Sequence, residues 1–133
     1  MEYRIINMKI KKFINNFITK DTGLNGGKDR ENWLERTLLK LPEGSKILDA
    51  GAGEGRNKKF CSHLDYTSLD FGEYDGVGDK RGLHKGIRDY SKIDIIGDIE
   101  DLPIKEGTYD AVLCVEVLEH VKNPNLALKE IYR

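Results

Sequence analysis

Cysteine is almost missing from the chain. Cys61 and Cys114 are the only two, too few and too far apart for a disulfide framework or a zinc site. Cys114 lies in the apolar run A-V-L-C-V and reads as a buried spacer rather than a nucleophile. No run of eighteen apolar residues occurs, so no segment is expected to span a bilayer. Charges interrupt the first stretch, no secretory signal is evident, and a cytoplasmic location is the default expectation. Charge of one sign is also lacking. With 22 basic and 23 acidic residues the net charge is -1, which gives no global attraction to nucleic acid or to an anionic membrane. The first twenty residues are locally basic and read either as a solvated helix face or as a surface touching a polyanion. There is no phosphate-binding G-K-S or G-K-T, and no H-E-x-x-H spacing for a metal; no metal site is expected.

What the chain does have is K-I-L-D-A-G-A-G-E-G at 46–55. Ile47 and Leu48 read as the end of a buried strand, followed by Asp49 and by glycines at 51, 53 and 55. A strand feeding a glycine-rich turn lets backbone N–H groups approach a bound molecule closely. The 133 residues suffice for one domain with a real core. Ahead of this motif, apolar side chains at Ile6, Ile10, Phe13, Ile14, Phe17 and Ile18 predict an amphipathic helix over residues 2–18. Residues 19–30 read as a loop. Trp33, Leu34, Thr37, Leu38 and Leu41 form the inward stripe of a second helix over 29–41, stopped by Pro42 and Gly44. Residues 1–44 are thus expected to be a helical segment packing beside the sheet or over the cofactor mouth, and 45–133 the sheet domain.

After Gly55 a helix is expected with Phe60, Cys61 and Leu64 as its packing face, then a strand over 66–70 ending at Asp70. Residues 71–92 are glycine-rich and charged, and read as an irregular connection with one short helical piece near 83–90. A third strand covers 93–97 and a fourth 109–115, the latter with the near-continuous apolar run of an inner parallel strand. A short turn over 116–121 leads to a helix beginning with Leu126. The order is that of an open parallel α/β sheet. Four parallel strands and one further helix leave strand four as a bare apolar edge, so the chain reads either as a fragment or as a protein whose edge is covered by a second copy or a partner.

In such a sheet, ligands bind beyond the carboxyl ends of the strands. Those ends carry Asp49, Asp70 and Asp98, a set that suits a nucleoside bearing a cationic group. Asp70 can accept both hydroxyls of a ribose, Asp98 the exocyclic amine of a purine beside Ile99, and Asp49 an ammonium group. Asp49 or Asp70 alone also reads as an ordinary end-of-strand turn residue.

The stretches I-L-D-A-G-A-G-E-G at 47–55, S-L-D at 68–70, G-D-I-E-D-L-P-I at 97–104, Y-D-A-V-L-C-V-E-V-L-E-H-V at 109–121 and N-P-N-L-A-L-K-E-I at 123–131 together resemble the class I S-adenosylmethionine-dependent methyltransferases, in their broad small-molecule group. The resemblance covers residues 45–133. It implies the N-terminal part of a Rossmann-like α/β fold, with an open, mostly parallel sheet and flanking helices. It also implies S-adenosylmethionine as cofactor, S-adenosylhomocysteine as product and a small-molecule acceptor. By the same resemblance, Asp49, Gly51, Gly53 and Gly55 hold the methionine part, Asp70 the ribose, Phe71 the adenine face, and Asp98 with Ile99 the adenine edge. Cys114 passes near the transferred methyl, and His120 is either the base for an acceptor hydroxyl or a structural residue. The later strands of the family are missing from the chain, so a cofactor-binding domain without activity of its own, acting as a structural or regulatory partner, is the alternative. A nicotinamide-dependent oxidoreductase is a third reading, partly permitted by the glycines and by Asp70 as a ribose acceptor, but the segments at 97–104 and 109–121 fit the methyltransferases far better.

Overall fold

The computed structural model describes residues 26–72 and 89–133. The expected helix over 2–18, and the helical piece near 83–90 save for residues 89 and 90, lie outside them. The chain divides into two units, Met1–Arg36 and Thr37–Arg133. In the first, the described residues belong to helix α1 (Gly26–Leu38), with Asp29 in its first turn and Arg36 in its last, both placed to complement the helix dipole. The helix starts and stops three residues earlier than the apolar stripe predicts. Leu39 is 63% exposed, so the stripe ends at Leu38.

The second unit is built on strands β1 (Lys46–Ala50), β2 (Asp65–Asp70), β3 (Ile95–Ile96) and β4 (Ala111–Leu113). They form one sheet in the order β3-β2-β1-β4, all pairs parallel. β1 is central, and Ile47, Leu48, Asp49 and Ala50 are all buried, as a strand covered on both faces requires. Alternation divides these residues between two layers. Leu48, Ala50 and Leu69 face a core closed by Ile99, Leu102 and by Ala127 of helix α2 (Pro124–Tyr132). Asp49 faces the other side.

Three expectations are corrected. The segment after Gly55 is a five-residue 3-10 helix, Arg56–Phe60, with no buried residue, not an α-helix with an apolar face; only Cys61 just beyond it is buried. Nine residues separate Gly55 from β2. A 3-10 turn, rising about 2.0 Å per residue against 1.5 Å for an α-helix, covers more of the return path. The helix α2 begins at Pro124, two residues before Leu126. The Oδ1 of Asn123 accepts from the N–H groups of Asn125 and Leu126, so the N-P-N sequence is the helix cap itself. Finally, β3 and β4 are shorter than the apolar runs. In place of further ladder bonds, Asp94 Oδ2 accepts from the Ser68 N–H at 2.8 Å and from the Ser68 hydroxyl at 2.7 Å. At the start of β4, Asp110 Oδ2 accepts from the Lys46 N–H at 2.8 Å while the Asp110 N–H still donates to Lys46 O at 2.9 Å.

The Asp94 contact makes a pH prediction. The bonds from Ser68 hold the Asp94 carboxyl below its ordinary value of 3.8, so the folded protein keeps it ionised where the unfolded chain binds a proton. The contribution is complete above that value and is lost as pH falls through the lowered folded one. Asp94→Ala is expected to cost about 1 kcal/mol at neutral pH. Urea titrations should show the gap from wild type closing below pH 3.8; a gap independent of pH would contradict the assignment.

Candidate cofactor site

Parallel pairing brings the carboxyl ends of all four strands to one edge. β1 and β4 are neighbours there although two strands intervene in sequence, which makes their junction the point where strand order reverses and where open α/β sheets bind ligands. The glycine turn is hooked over the end of β2. The N–H groups of Gly51 and Ala52 both donate to Leu69 O, at 2.8 and 2.9 Å. The Gly53 N–H donates to Asp70 Oδ2 at 2.7 Å, and the Gly72 N–H to Asp70 Oδ1 at 3.1 Å. Asp70 O accepts in turn from the Gly97 N–H at 2.9 Å. One aspartate therefore holds three loops, and each of its side-chain oxygens keeps a further lone pair for a ligand hydroxyl.

Gly51 has φ of 83°, and a Cβ there would be driven into the side chain of Val117. Its small size thus serves packing across the β1–β4 junction. Gly55, at φ 72°, has open space where a Cβ would stand.

Asp49 is 1% exposed. Its Oδ2 accepts from the Tyr66 hydroxyl at 2.7 Å and from Asn57 Nδ2 at 3.2 Å, and the Asn57 contact to Oδ1 is 3.5 Å. Burial raises the Asp49 pKa above the ordinary 3.8; the Tyr66 and Asn57 bonds pull it back, and the nearby charge of Asp70 pushes it up again. Burial pushes the Cys114 thiol up to about 11, with Asp49 and Glu119 adding to the shift, so Cys114 is held as a thiol. The Cys61 thiol is likewise raised to about 11, by burial and then by Asp49.

The structure thus connects Asp49, Gly51, Gly53, Asp70 and Cys114 in one group, bordered by Gly55. Asp98 lies exposed on the loop after β3, where its Oδ1 accepts from the Glu100 N–H at 2.8 Å. The Ile99 side chain is part of the core, and Phe71, directly after Asp70, is 53% exposed. His120 is exposed on a turn in which its N–H donates to Val117 O at 2.8 Å. That turn is entered through Glu116, a non-glycine residue at φ 56°, a conformation that tends to persist where the surroundings enforce it. The loop after β3 and the entry to α2 are tied together, because Glu100 Oε1 accepts from the N–H groups of Lys122 and Asn123 at 2.7 and 3.0 Å. Glu130 Oε2 accepts from the Leu102 N–H at 2.8 Å and from Arg133. Among the described residues no group of three metal-binding side chains occurs.

A family model described as a methyltransferase domain matches residues 48–133. The chain belongs to the class I S-adenosylmethionine-dependent methyltransferases. The chain is 33% identical over 109 residues to a ubiquinone biosynthesis O-methyltransferase of Pseudomonas aeruginosa, covering 78% of this chain and 44% of the relative. A second, from Dechloromonas aromatica, is 33% identical over 100 residues, covering 72% and 41%. The chain therefore spans less than half the length of the curated relatives it matches. Among solved structures, the YcgJ protein of Bacillus subtilis superposes with a TM-score of 0.56 at 17% identity, over 76% of this chain and 43% of that one. A putative S-adenosyl-L-methionine-dependent methyltransferase from Methanococcus maripaludis superposes with a TM-score of 0.55 at 17% identity, over 86% and 60%. Both are likenesses of fold.

The residues present suit the cofactor that the family uses. Two carboxylates, Asp49 and Asp70, lie close enough for the charge of one to raise the pKa of the other, and an incoming ammonium or sulfonium relieves that repulsion. Sequence reasoning missed Tyr66 and Asn57. Tyr66 could have been found from period-two alternation, which puts it on the same face of β2 as Asp70. Asn57 carries no periodic signal.

Proposed function

We propose that this methyltransferase chain binds S-adenosylmethionine at the carboxyl ends of β1 and β2 and serves methyl transfer to the hydroxyl of a small-molecule acceptor. The observation that carries the reading is the Asp49–Asp70 pair, brought together beside a glycine turn and close enough for the charge of Asp70 to raise the Asp49 pKa. Asp70 is assigned to the ribose hydroxyls and Asp49 to the ammonium of the methionine part. The turn at Gly51, Gly53 and Gly55 lies along the methionine chain. Asp98 and the backbone of Ile99 are assigned to the adenine edge, and Phe71 to its face.

The bound cofactor supplies a methyl already activated by the sulfonium. The protein's work is alignment of acceptor, methyl and sulfur in a line, and no protein nucleophile is required. The raised Cys114 thiol agrees with that. His120, on its exposed turn, is assigned as the base that takes the acceptor proton. The name of the relatives, O-methyltransferase, favours oxygen as the acceptor atom, and the net charge of -1 favours a small molecule over nucleic acid. The second reading, a cofactor-binding domain that acts with a partner or a second copy, draws on one observation: in the described sheet β4 has a neighbour on one side only.

Titration calorimetry with S-adenosylhomocysteine at near-millimolar concentration tests the reading. A saturable signal is expected, together with none for NADH. The opposite pattern would replace the assignment with a nicotinamide-binding one.

A further inference from the structure

Asp49 is the one carboxylate of the site fully enclosed by protein, and the two residues that enclose it have no part in the function as described so far. We propose that Tyr66 and Asn57 are positioning residues for the cofactor's ammonium group: together they occupy one oxygen of the Asp49 carboxylate, keep it ionised, and leave the other oxygen to accept from the ligand. The inference rests on the cofactor assignment above and adds to it the device that makes a buried aspartate serviceable.

The geometry carries the argument. Both short bonds, 2.7 Å from the Tyr66 hydroxyl and 3.2 Å from the Asn57 amide, end on Oδ2. Among the described residues, Oδ1 has only the 3.5 Å Asn57 contact, which is at the limit of a hydrogen bond. The two donors come from different elements. Tyr66 is on β2, and Asn57 is on the 3-10 helix that follows the glycine turn. The carboxylate is thus held in one orientation by the two segments that flank the turn. A buried carboxylate without donors prefers the protonated form, and in that form it cannot serve as a full counter-charge to an ammonium group. Among the described residues, the titratable groups seen acting with Asp49 are Tyr66 and Asp70 from β2, Cys61 from beyond the 3-10 helix, and Cys114 from beyond β4. The two thiols are raised, and burial and Asp49 raise the Tyr66 hydroxyl as well, so it remains a donor throughout the neutral range. Asp70 opposes the ionisation of Asp49. Tyr66 and Asn57 are the side chains that favour it.

The test has two arms on the full chain, with wild type, Tyr66→Phe and Asn57→Ala. In ligand-free protein, carbon NMR of the Asp49 carboxyl against pH should show its midpoint rising by about one unit or more in Tyr66→Phe, since a bond to the ionised form is lost. Asn57→Ala should move it the same way by less. In calorimetry with S-adenosylhomocysteine, wild-type affinity should fall as pH drops through the Asp49 midpoint. The Tyr66→Phe fall should begin at higher pH, with the gap widening between the two midpoints and reaching about tenfold weaker binding below the lower one for each unit of separation, and the curves should converge above both. The ligand's own groups titrate equally in all arms and drop out of the difference. Superimposed profiles, or a weakening uniform in pH such as a purely structural role would give, overturn the proposal while leaving the cofactor reading intact. No binding by wild type at any pH overturns both. Asn57→Ala lies on the partly exposed 3-10 helix and decides the question alone if Tyr66→Phe does not fold.

Discussion

Gly51→Ala is expected to destabilise the fold by about 2–5 kcal/mol, a large share of the 5–15 kcal/mol typical of a domain. Two costs add. A left-handed φ of 83° costs an L-residue roughly 1–2 kcal/mol. The new methyl also meets the β-branched Val117 side chain, whose stiff χ1 gives it little room to turn away, and overpacking of this kind costs about 1–3 kcal/mol. The two terms can be separated. Gly55→Ala, at φ 72° with open space around the new methyl, should show only the conformational cost. Adding Val117→Ala to Gly51→Ala should recover the steric part and leave the conformational part, a non-additivity that a double-mutant cycle in urea would read directly. A Gly51→Ala protein within 0.5 kcal/mol of wild type, roughly the spread of neutral surface substitutions, would mean that the turn and the segment after β4 are not packed as described.

The place of Gly51 also shows which parts of the site are legible in a sequence. The I-L-D-A-G-A-G-E-G stretch announces a buried strand and a sharp turn because its cause is local: an apolar run followed by residues without side chains. The end of β2 at Asp70 is legible from its own neighbourhood as well. What closes around Gly51 is not local. Val117 comes from 66 positions further along, and only the β1–β4 pairing brings the two together. The pattern marks where glycine occurs without telling whether ligand or protein fills the missing side chain. At Gly51 it is protein.

Side-chain to backbone bonds account for most of the remaining differences. Apolar runs predict strands longer than the ladders that form; at the N-terminal ends, Asp94 and Asp110 turn their carboxylates onto the Ser68 and Lys46 N–H groups. The same residues, read as composition, are merely charged positions at strand ends. Asn123 reads as loop punctuation and is the cap of α2. Ile99 reads as a ring contact in the family resemblance, and its side chain is in the core beside Leu102. In each case a polar or apolar label was correct and the partner was invisible. Tyr66 and Asn57 extend the point to the site itself. The Asp49 carboxylate, chosen from the motif, takes its protonation from residues 17 and 8 positions away.

Asp70→Asn is the substitution expected to damage function most while changing least in shape. The two Asp70 oxygens accept from separate backbone donors, Gly53 N–H and Gly72 N–H. An amide has one acceptor oxygen, so its NH2 must face one of those N–H groups in either orientation. The charge that strengthens bonds to a ribose diol is lost at the same time. Affinity for S-adenosylhomocysteine should fall by about 10- to 100-fold, as the loss of a bond to a charged acceptor implies; Asp70→Ala should do at least as much. Loosening of the glycine turn alone would also weaken binding, so the ligand must be varied together with the protein. Removing the 2′-hydroxyl of the ligand should weaken binding to wild type and do little further harm in Asp70→Asn, because the same contact cannot be lost twice. Equal losses from the 2′-deoxy ligand in both proteins would show that Asp70 acts only as the anchor of the Gly53 and Gly72 amides. The ribose would then have to be held elsewhere along the carboxyl edge of the sheet.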